Sequence, residues 1–410
     1  VRIGAIFCVR RRVLESHLGR ASVENLWFVA AVWIGLAFLA SLLSIRLGIS
    51  VPLVEIFLGM LAGNFLGLHS TPWIDVLAAF GSVLLTFLAG AEIDPDSLRR
   101  HLVPSLAIGS LSFLLPFLGA VAFARFVTGW AWPAAQIAGI ALSTTSVAVV
   151  YAVMVESGLA AADLGKLILA ACFVTDLGTV LALGILFASF DRWLVLFAAV
   201  LAVALAVLPR LTRLVVARWG GRVSEAEVKF LLLVLTVLGG LATTAGSEAV
   251  LPAYLVGLVV AGVFSHDRQP LHRLRATTFA LLTPFFFLKA GALIALPALW
   301  AGLGLIAVLL GVKVATKFLG VWPLTRLFRL EPRTGLYTTL LMSTGLTFGS
   351  ISALYGLTHG IITQDQYSVL VTVVIASAVV PTLIAQTWFQ PTGPTADRAA
   401  TAPVEAGHRS

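Results

Sequence analysis

Residues 164–190 read LGKLILAACFVTDLGTVLALGILFASF. Apart from Lys166 near its start, the only charged side chain in these 27 residues is Asp176, with twelve residues before it and fourteen after. A helix needs about 20 apolar residues to cross the hydrocarbon of a bilayer. The stretch is therefore a transmembrane helix with a carboxylate at mid-depth. Its surroundings repeat the pattern. Of 410 residues, 59% are hydrophobic and 11% charged, against about a quarter charged in a soluble domain. Such a chain cannot cover itself with polar side chains, which excludes a soluble enzyme, a nucleic-acid module and a disulfide scaffold. The net charge of +8 is spread over short loops. It reads as the positive loops of a membrane protein and not as a nucleic-acid surface. Cys8 and Cys172 are too far apart to frame a disulfide scaffold, and Cys172 reads as a small packing residue.

Working outward from 164–190, the hydropathy predicts about thirteen spans: 25–45, 51–68, 74–91, 103–127, 133–155, 164–190, 192–209, 228–246, 249–264, 277–296, 299–325, 334–356 and 366–389. The expected fold class is all-α and polytopic, with no alternation suited to a membrane barrel. Three regions follow: a basic leader 1–24, a membrane domain 25–390 and a disordered tail 391–410 rich in Ala, Pro, Thr and Gly. With thirteen spans the termini face opposite sides. The side of the C-terminus collects 17 Lys and Arg and the other side 7, so the C-terminus is expected in the cytoplasm and the N-terminus outside. The leader runs against this, with Arg2, Arg10, Arg11, Arg12 and Arg20 on the outer side. Either translation starts at Val23 and removes it, or one span is miscounted and the N-terminus is inside.

Ionisable residues inside spans are costly and are functional candidates by default. These are Glu55, Asp176, Lys289, Lys313 and Lys317. A carboxylate at the depth of Asp176 is protonated, paired or bound to a cation, so proton and metal ion compete for the same oxygens; the bland alternative is a carboxylate locked to a lysine. Lys313 and Lys317 are four apart and share a helix face. One of them pairs with Asp176 and is displaced by a cation, or Lys317, nearer the end that carries Arg326, snorkels towards the interface. Lys289 lines the ion path or pairs with Glu55, or equally it belongs to a structural ion pair. Glu55 itself is structural or stands in the ion path.

Two spans carry polar clusters at mid-depth: Ser143-Thr144-Thr145-Ser146, and Met342-Ser343-Thr344-Gly345-Leu346-Thr347-Phe348-Gly349-Ser350. Interrupted helices at corresponding positions of two halves point to inverted repeats and to a transporter's binding site. The half-helix ends carry opposite dipoles, which Asp176 and Lys317 would compensate. In the plainer reading these hydroxyls bond back within ordinary helices.

The chain resembles the monovalent cation:proton antiporter superfamily, in the bacterial branch of sodium/proton antiporters and Kef-like potassium-efflux transporters. Leu84-Leu85-Thr86-Phe87-Leu88-Ala89-Gly90-Ala91-Glu92-Ile93-Asp94 is similar to that family's LLFLAGLEID segment, and Pro252-Ala253-Tyr254-Leu255-Val256-Gly257-Leu258 to its GAFLAGL segment. Thr175-Asp176 stands where the family has Asp-Asp or Asn-Asp, and Thr316-Lys317-Phe318-Leu319-Gly320 resembles its GKxLG segment. The resemblance implies a core and a dimerisation domain, crossed discontinuous helices beside the aspartate, a homodimer in the bacterial inner membrane, and an elevator-like movement of the core. It implies Asp176 as the ion-binding carboxylate and Lys317 as its partner. Thr175 in place of a second acid favours one cation per proton, although a lysine that releases a proton would add a charge. The 391–410 stretch has no G-x-G-x-x-G turn, so gating by a fused nucleotide-binding domain is not expected.

The sequence-level expectation is thus antiport of Na+ for H+, with K+/H+ antiport or a channel-like potassium-efflux protein as the alternative. Asp176, Thr175, Ser143, Thr144, Thr145, Ser146, Thr344 and Thr347 form the oxygen shell, and Lys317, Lys313 and Lys289 compensate charge. No cofactor and no enzymatic chemistry are expected. His266 and His272 sit among Arg268, Arg273 and Arg275 and read as a solvated face or, less simply, as sensors of cytoplasmic pH.

Overall fold

The structure is a computed structural model that describes residues 26–47, 50–91, 101–157, 159, 162–187, 192–221, 225–245, 247, 249–264 and 268–391. The leader 1–24, Cys8, the Glu92-Ile93-Asp94 end of the third-span motif, Arg99, Arg100, Arg222, His266, Arg398, Arg409 and the tail beyond Pro391 lie outside the described residues. Among those described there are helices and no strands.

The helices are α1 Leu26–Leu47, α2 Val51–Phe65, α3 Pro72–Ala91, α4 Leu102–Ala122, α5 Trp132–Ser143, α6 Val147–Glu156, α7 Asp163–Leu186, α8 Arg192–Trp219, α9 Ala226–Thr244, α10 Val250–Ala261, α11 Gln269–Thr277, α12 Thr283–Ala292, α13 Leu296–Leu327, α14 Pro332–Met342, α15 Thr347–Thr358 and α16 Gln364–Ile384. Ten spans are long and apolar enough to cross a membrane, counting α5–α6 and α14–α15 as one span each. The α2 and α10 helices are shorter, and the remaining span is α12 with the π-helical turn Thr278–Leu282 before it. These are the thirteen expected spans of a multi-pass membrane protein. One helix lies outside these spans. The span expected to begin at 277 is preceded by α11, QPLHRLRAT, which is too polar to enter hydrocarbon and buries only Pro270, Leu271 and Leu274.

The packing sorts the helices into two groups. In the first, α12 lies along α2 and α3, α10 lies along α3, and α1, α8, α9 and α11 complete the set. In the second, α4 packs on α5, α7 and α13, and α16 packs on α13 and α15. Between the groups the main helix-on-helix packing is α10 against α7. Glycine makes the first group tight. A Cβ on Gly257 of α10 would run into the Phe87 carbonyl of α3, and one on Gly291 of α12 into the Ile56 carbonyl of α2; backbones approach this closely only where side chains are absent.

The second group contains two three-span sets, α4 to α7 and α13 to α16, each with its middle span broken. Four spans lie between the two sets and corresponding spans stand seven apart, an odd number, so an alternating chain runs through them in opposite directions. This is the inverted repeat. The basic residues Arg46, Arg218, Arg275 and Arg326 close α1, α8, α11 and α13, all on one side of the bundle by the same alternation, here called the basic side.

Candidate functional site

Each middle span breaks at its polar cluster. The α5 helix stops at Ser143, Thr144 turns extended (φ −62°, ψ 153°), and α6 starts at Val147. The α14 helix stops at Met342, and α15 starts at Thr347. Each break frees carbonyls that water cannot reach, and these must find donors inside the protein. The breaks cross and serve each other: the Thr145 hydroxyl donates to the Met342 carbonyl at 2.9 Å, and the Ser146 N–H donates to Thr344 Oγ1 at 3.4 Å. The helices are therefore interrupted at the clusters and do not run on through them.

Lys317, fully buried on α13, serves the other free end. Its amine donates to the Ser143 carbonyl at 2.8 Å, to Ser112 Oγ on α4 at 2.8 Å and to Thr145 Oγ1 at 2.9 Å. A cation is thus held on the negative end of the α5 dipole. Lys313, one turn earlier and equally buried, stands against Gly345 in the second break, where a Cβ would collide with its amine. Its Nζ has no hydrogen-bond partner.

Asp176 is 1% exposed, and its Oδ1 is buried without a hydrogen-bond partner. No ion pair within 4.0 Å joins it to a lysine among the described residues. The expected direct pairing of Asp176 with Lys317 is therefore corrected: Lys317 spends its three donors on the first break and its neighbours. What Asp176 faces is space. A cavity of about 450 Å³ reaches from Asp176, Thr145 and Thr347 to Val51, Pro52 and Arg275 on the basic side. Val147 and Thr347, the first residues of α6 and α15, also line it, so two helix N-termini, the positive ends of their dipoles, stand on the same wall as the carboxylate.

The remaining predicted residues divide. Thr145 and Thr347 reach the cavity wall with Asp176. Thr175, Ser143, Thr144 and Thr344 are buried and donate their hydroxyls to helix carbonyls one turn back: Thr175 to Cys172 at 2.6 Å, Ser143 to Ile140 at 2.9 Å, Thr144 to Ala141 at 3.1 Å and Thr344 to Leu341 at 2.8 Å. Ser146 Oγ accepts the Val149 N–H at 3.4 Å. These residues shape the breaks and leave the wall to Asp176, Thr145 and Thr347.

Lys289 lies apart, near the opposite side. It pairs with Asp75 at 2.7 Å, and Ser70 also donates to Asp75. The suggested Lys289–Glu55 pair is thus replaced by one with Asp75 in the first turn of α3, where an acid also suits the dipole. Glu55 is 2% exposed with Oε2 unpartnered, one turn beyond Val51 and Pro52 of the cavity wall. His272 is exposed on α11. Sequence reasoning missed Ser112, because a lone serine in an apolar span is too common to signal anything, and Asp75, because an acid in a first turn is unremarkable.

Comparisons with known proteins agree with the fold. A profile of the transmembrane sodium/hydrogen exchanger family matches residues 34–390. The probable Na+/H+ antiporter 3 of Methanocaldococcus jannaschii is 22% identical over 385 residues, covering 90% of this chain and 97% of that protein. The Na+/H+-K+ antiporter GerN of Bacillus cereus is 24% identical over 358 residues, covering 83% and 90%. The solved structure of the sodium proton antiporter MjNhaP1 from Methanocaldococcus jannaschii at pH 8 shares the fold, with a TM-score of 0.67 at 16% identity over 92% of this chain and 99% of that one.

Proposed function

This chain belongs to the transmembrane sodium/hydrogen exchanger family, within the monovalent cation:proton antiporters, and from that premise we propose that it exchanges Na+ for H+ at Asp176 by alternating access. The observation that carries the proposal is the buried, unpartnered Asp176 oxygen at the end of a cavity that reaches one side of the bundle. A carboxylate so placed is stable in two forms: protonated and neutral, or holding a cation. Since one pair of oxygens serves both, the ions exclude each other, and that exclusion is what couples their opposite movements.

In this reading the cation enters from the basic side, taken as the cytoplasm, and binds Asp176 with the Thr145 and Thr347 hydroxyls and water as further oxygen ligands. A carrier must also release its ion, so a partly hydrated site suits it. Lys317 neutralises the end of α5 and keeps the crossing intact, so the site moves as a unit. The second helix group then shifts against the first, Asp176 faces the other side, and a proton displaces the cation. The chain works as a homodimer in a bacterial inner membrane.

The name of the Bacillus cereus relative makes K+ the second reading for the cation. Both ions take oxygen ligands, and cavity size separates them. The test is proton movement in everted vesicles or proteoliposomes loaded with a pH-sensitive dye, with Na+, Li+, K+ and Rb+ added in turn. Dequenching by Na+ and Li+ above K+ is expected. A response to K+ and Rb+ alone would move the assignment to K+/H+ exchange, and a response to none would overturn it.

A further inference from the structure

Two tyrosine hydroxyls bond across the two helix groups: Tyr367 of α16 donates to the Ala290 carbonyl of α12 at 2.6 Å, and the other, Tyr254, lies beside the site. Tyr254 of α10 is 1% exposed and donates its hydroxyl to the Phe173 carbonyl of α7 at 2.8 Å. Its ring lies edge-on to Phe348, the second residue of α15, with centroids 6.1 Å apart at 80°. Phe173 is three residues before Asp176, and Phe348 lines the Asp176 cavity. One side chain of the first group therefore touches two of the second-group helices that line the cavity, α7 and α15. Its own backbone is fixed, because Gly90 of α3 packs directly on the Tyr254 carbonyl.

We propose that Tyr254 is a positioning residue for the ion site: its hydrogen bond to Phe173 holds the Asp176 helix in the arrangement that faces the basic side, and the bond breaks when the site turns to the other side. This rests on the alternating-access reading above. A hydroxyl-to-carbonyl bond does not survive a displacement of about 1 Å, so a bond between the groups belongs to one arrangement. The Phe173 carbonyl lies inside α7, where the helical ladder supplies its own donor. Removing the phenol oxygen leaves no orphaned acceptor, so Tyr254→Phe is expected to fold and to alter the balance between arrangements without touching an ion ligand.

The test compares Tyr254→Phe with wild type in right-side-out and inside-out vesicles, reading the half-saturating Na+ concentration from each side. The ratio of basic-side to opposite-side values is expected to rise about two- to tenfold, the span of one neutral hydrogen bond, with exchange retained. A merely structural role would lower the rate from both sides and leave the ratio alone. An unchanged ratio, with or without a lower rate, overturns the proposal. A readout independent of transport is labelling of a cysteine at Ala148, exposed on the cavity wall, with Cys8 and Cys172 replaced by alanine. A membrane-impermeant maleimide applied from the basic side is expected to react more slowly when Tyr254→Phe is added. If wild type exchanges no cation for H+, the proposed function fails, and the maleimide rate alone then decides for the latch if it falls or against it if it is unchanged.

Discussion

Asp176 and Lys317 are two buried charges that solve different problems one helix apart. Lys317 is locked, its amine on Ser143, Ser112 and Thr145, while Asp176 keeps an oxygen free. Their substitutions should separate accordingly. Lys317→Met leaves the Ser143 carbonyl buried without its donor and removes charge-assisted bonds, each worth about 1.5–3 kcal/mol. It should lower the unfolding temperature in detergent by several degrees, and a variant as stable as wild type would contradict the role given to the amine. Asp176 was legible because one acid interrupts an apolar run of membrane length. Its relation to Lys317 was not, because spacing along a chain says which residues share a span and not whose donors fill which carbonyls. The lysine answers to the α5 end, which exists only once the helix has broken.

Helices here are specified by apolar length and their breaks by hydroxyl clusters, which is why the spans and both interruptions could be read in advance. Packing between helices could not. The α3–α10 and α2–α12 contacts depend on glycines meeting a neighbour's backbone, and a glycine in an apolar helix carries no sign of what it faces. Gly257→Ala would place a methyl group in the Phe87 carbonyl. Overpacking of this kind costs about 1–3 kcal/mol, and because it prises α10 from α3 it should also loosen the backbone that holds Tyr254. Thermal unfolding of Gly257→Ala, with Gly240→Ala as the control where a Cβ meets open space, checks the claim. Equal losses in both would remove it. The amphipathic α11 shows the limit of hydropathy from the other side, since a basic segment looks like a loop until its helix is seen.

For the whole molecule, one carboxylate shared by two ions fixes the form of the pH dependence. Where Asp176 is mostly protonated, each unit fall in pH should raise the half-saturating cation concentration about tenfold; where it is mostly ionised, pH should have no effect on it. The sign is set by competition, with acid weakening the cation and alkali sparing it, and half-saturating Na+ measured in proteoliposomes across a pH series reads the slope. A slope of two decades per unit would bring in a second proton, with buried Lys313 and Glu55 as the groups to examine. All of this returns to one oxygen. Asp176→Asn keeps the side chain's size and removes the charge and the proton site, so the most direct measurement is Na+-driven proton movement by that variant reconstituted beside wild type. The account predicts a folded protein with no cation-dependent proton flux; a variant exchanging at the wild-type rate would contradict it.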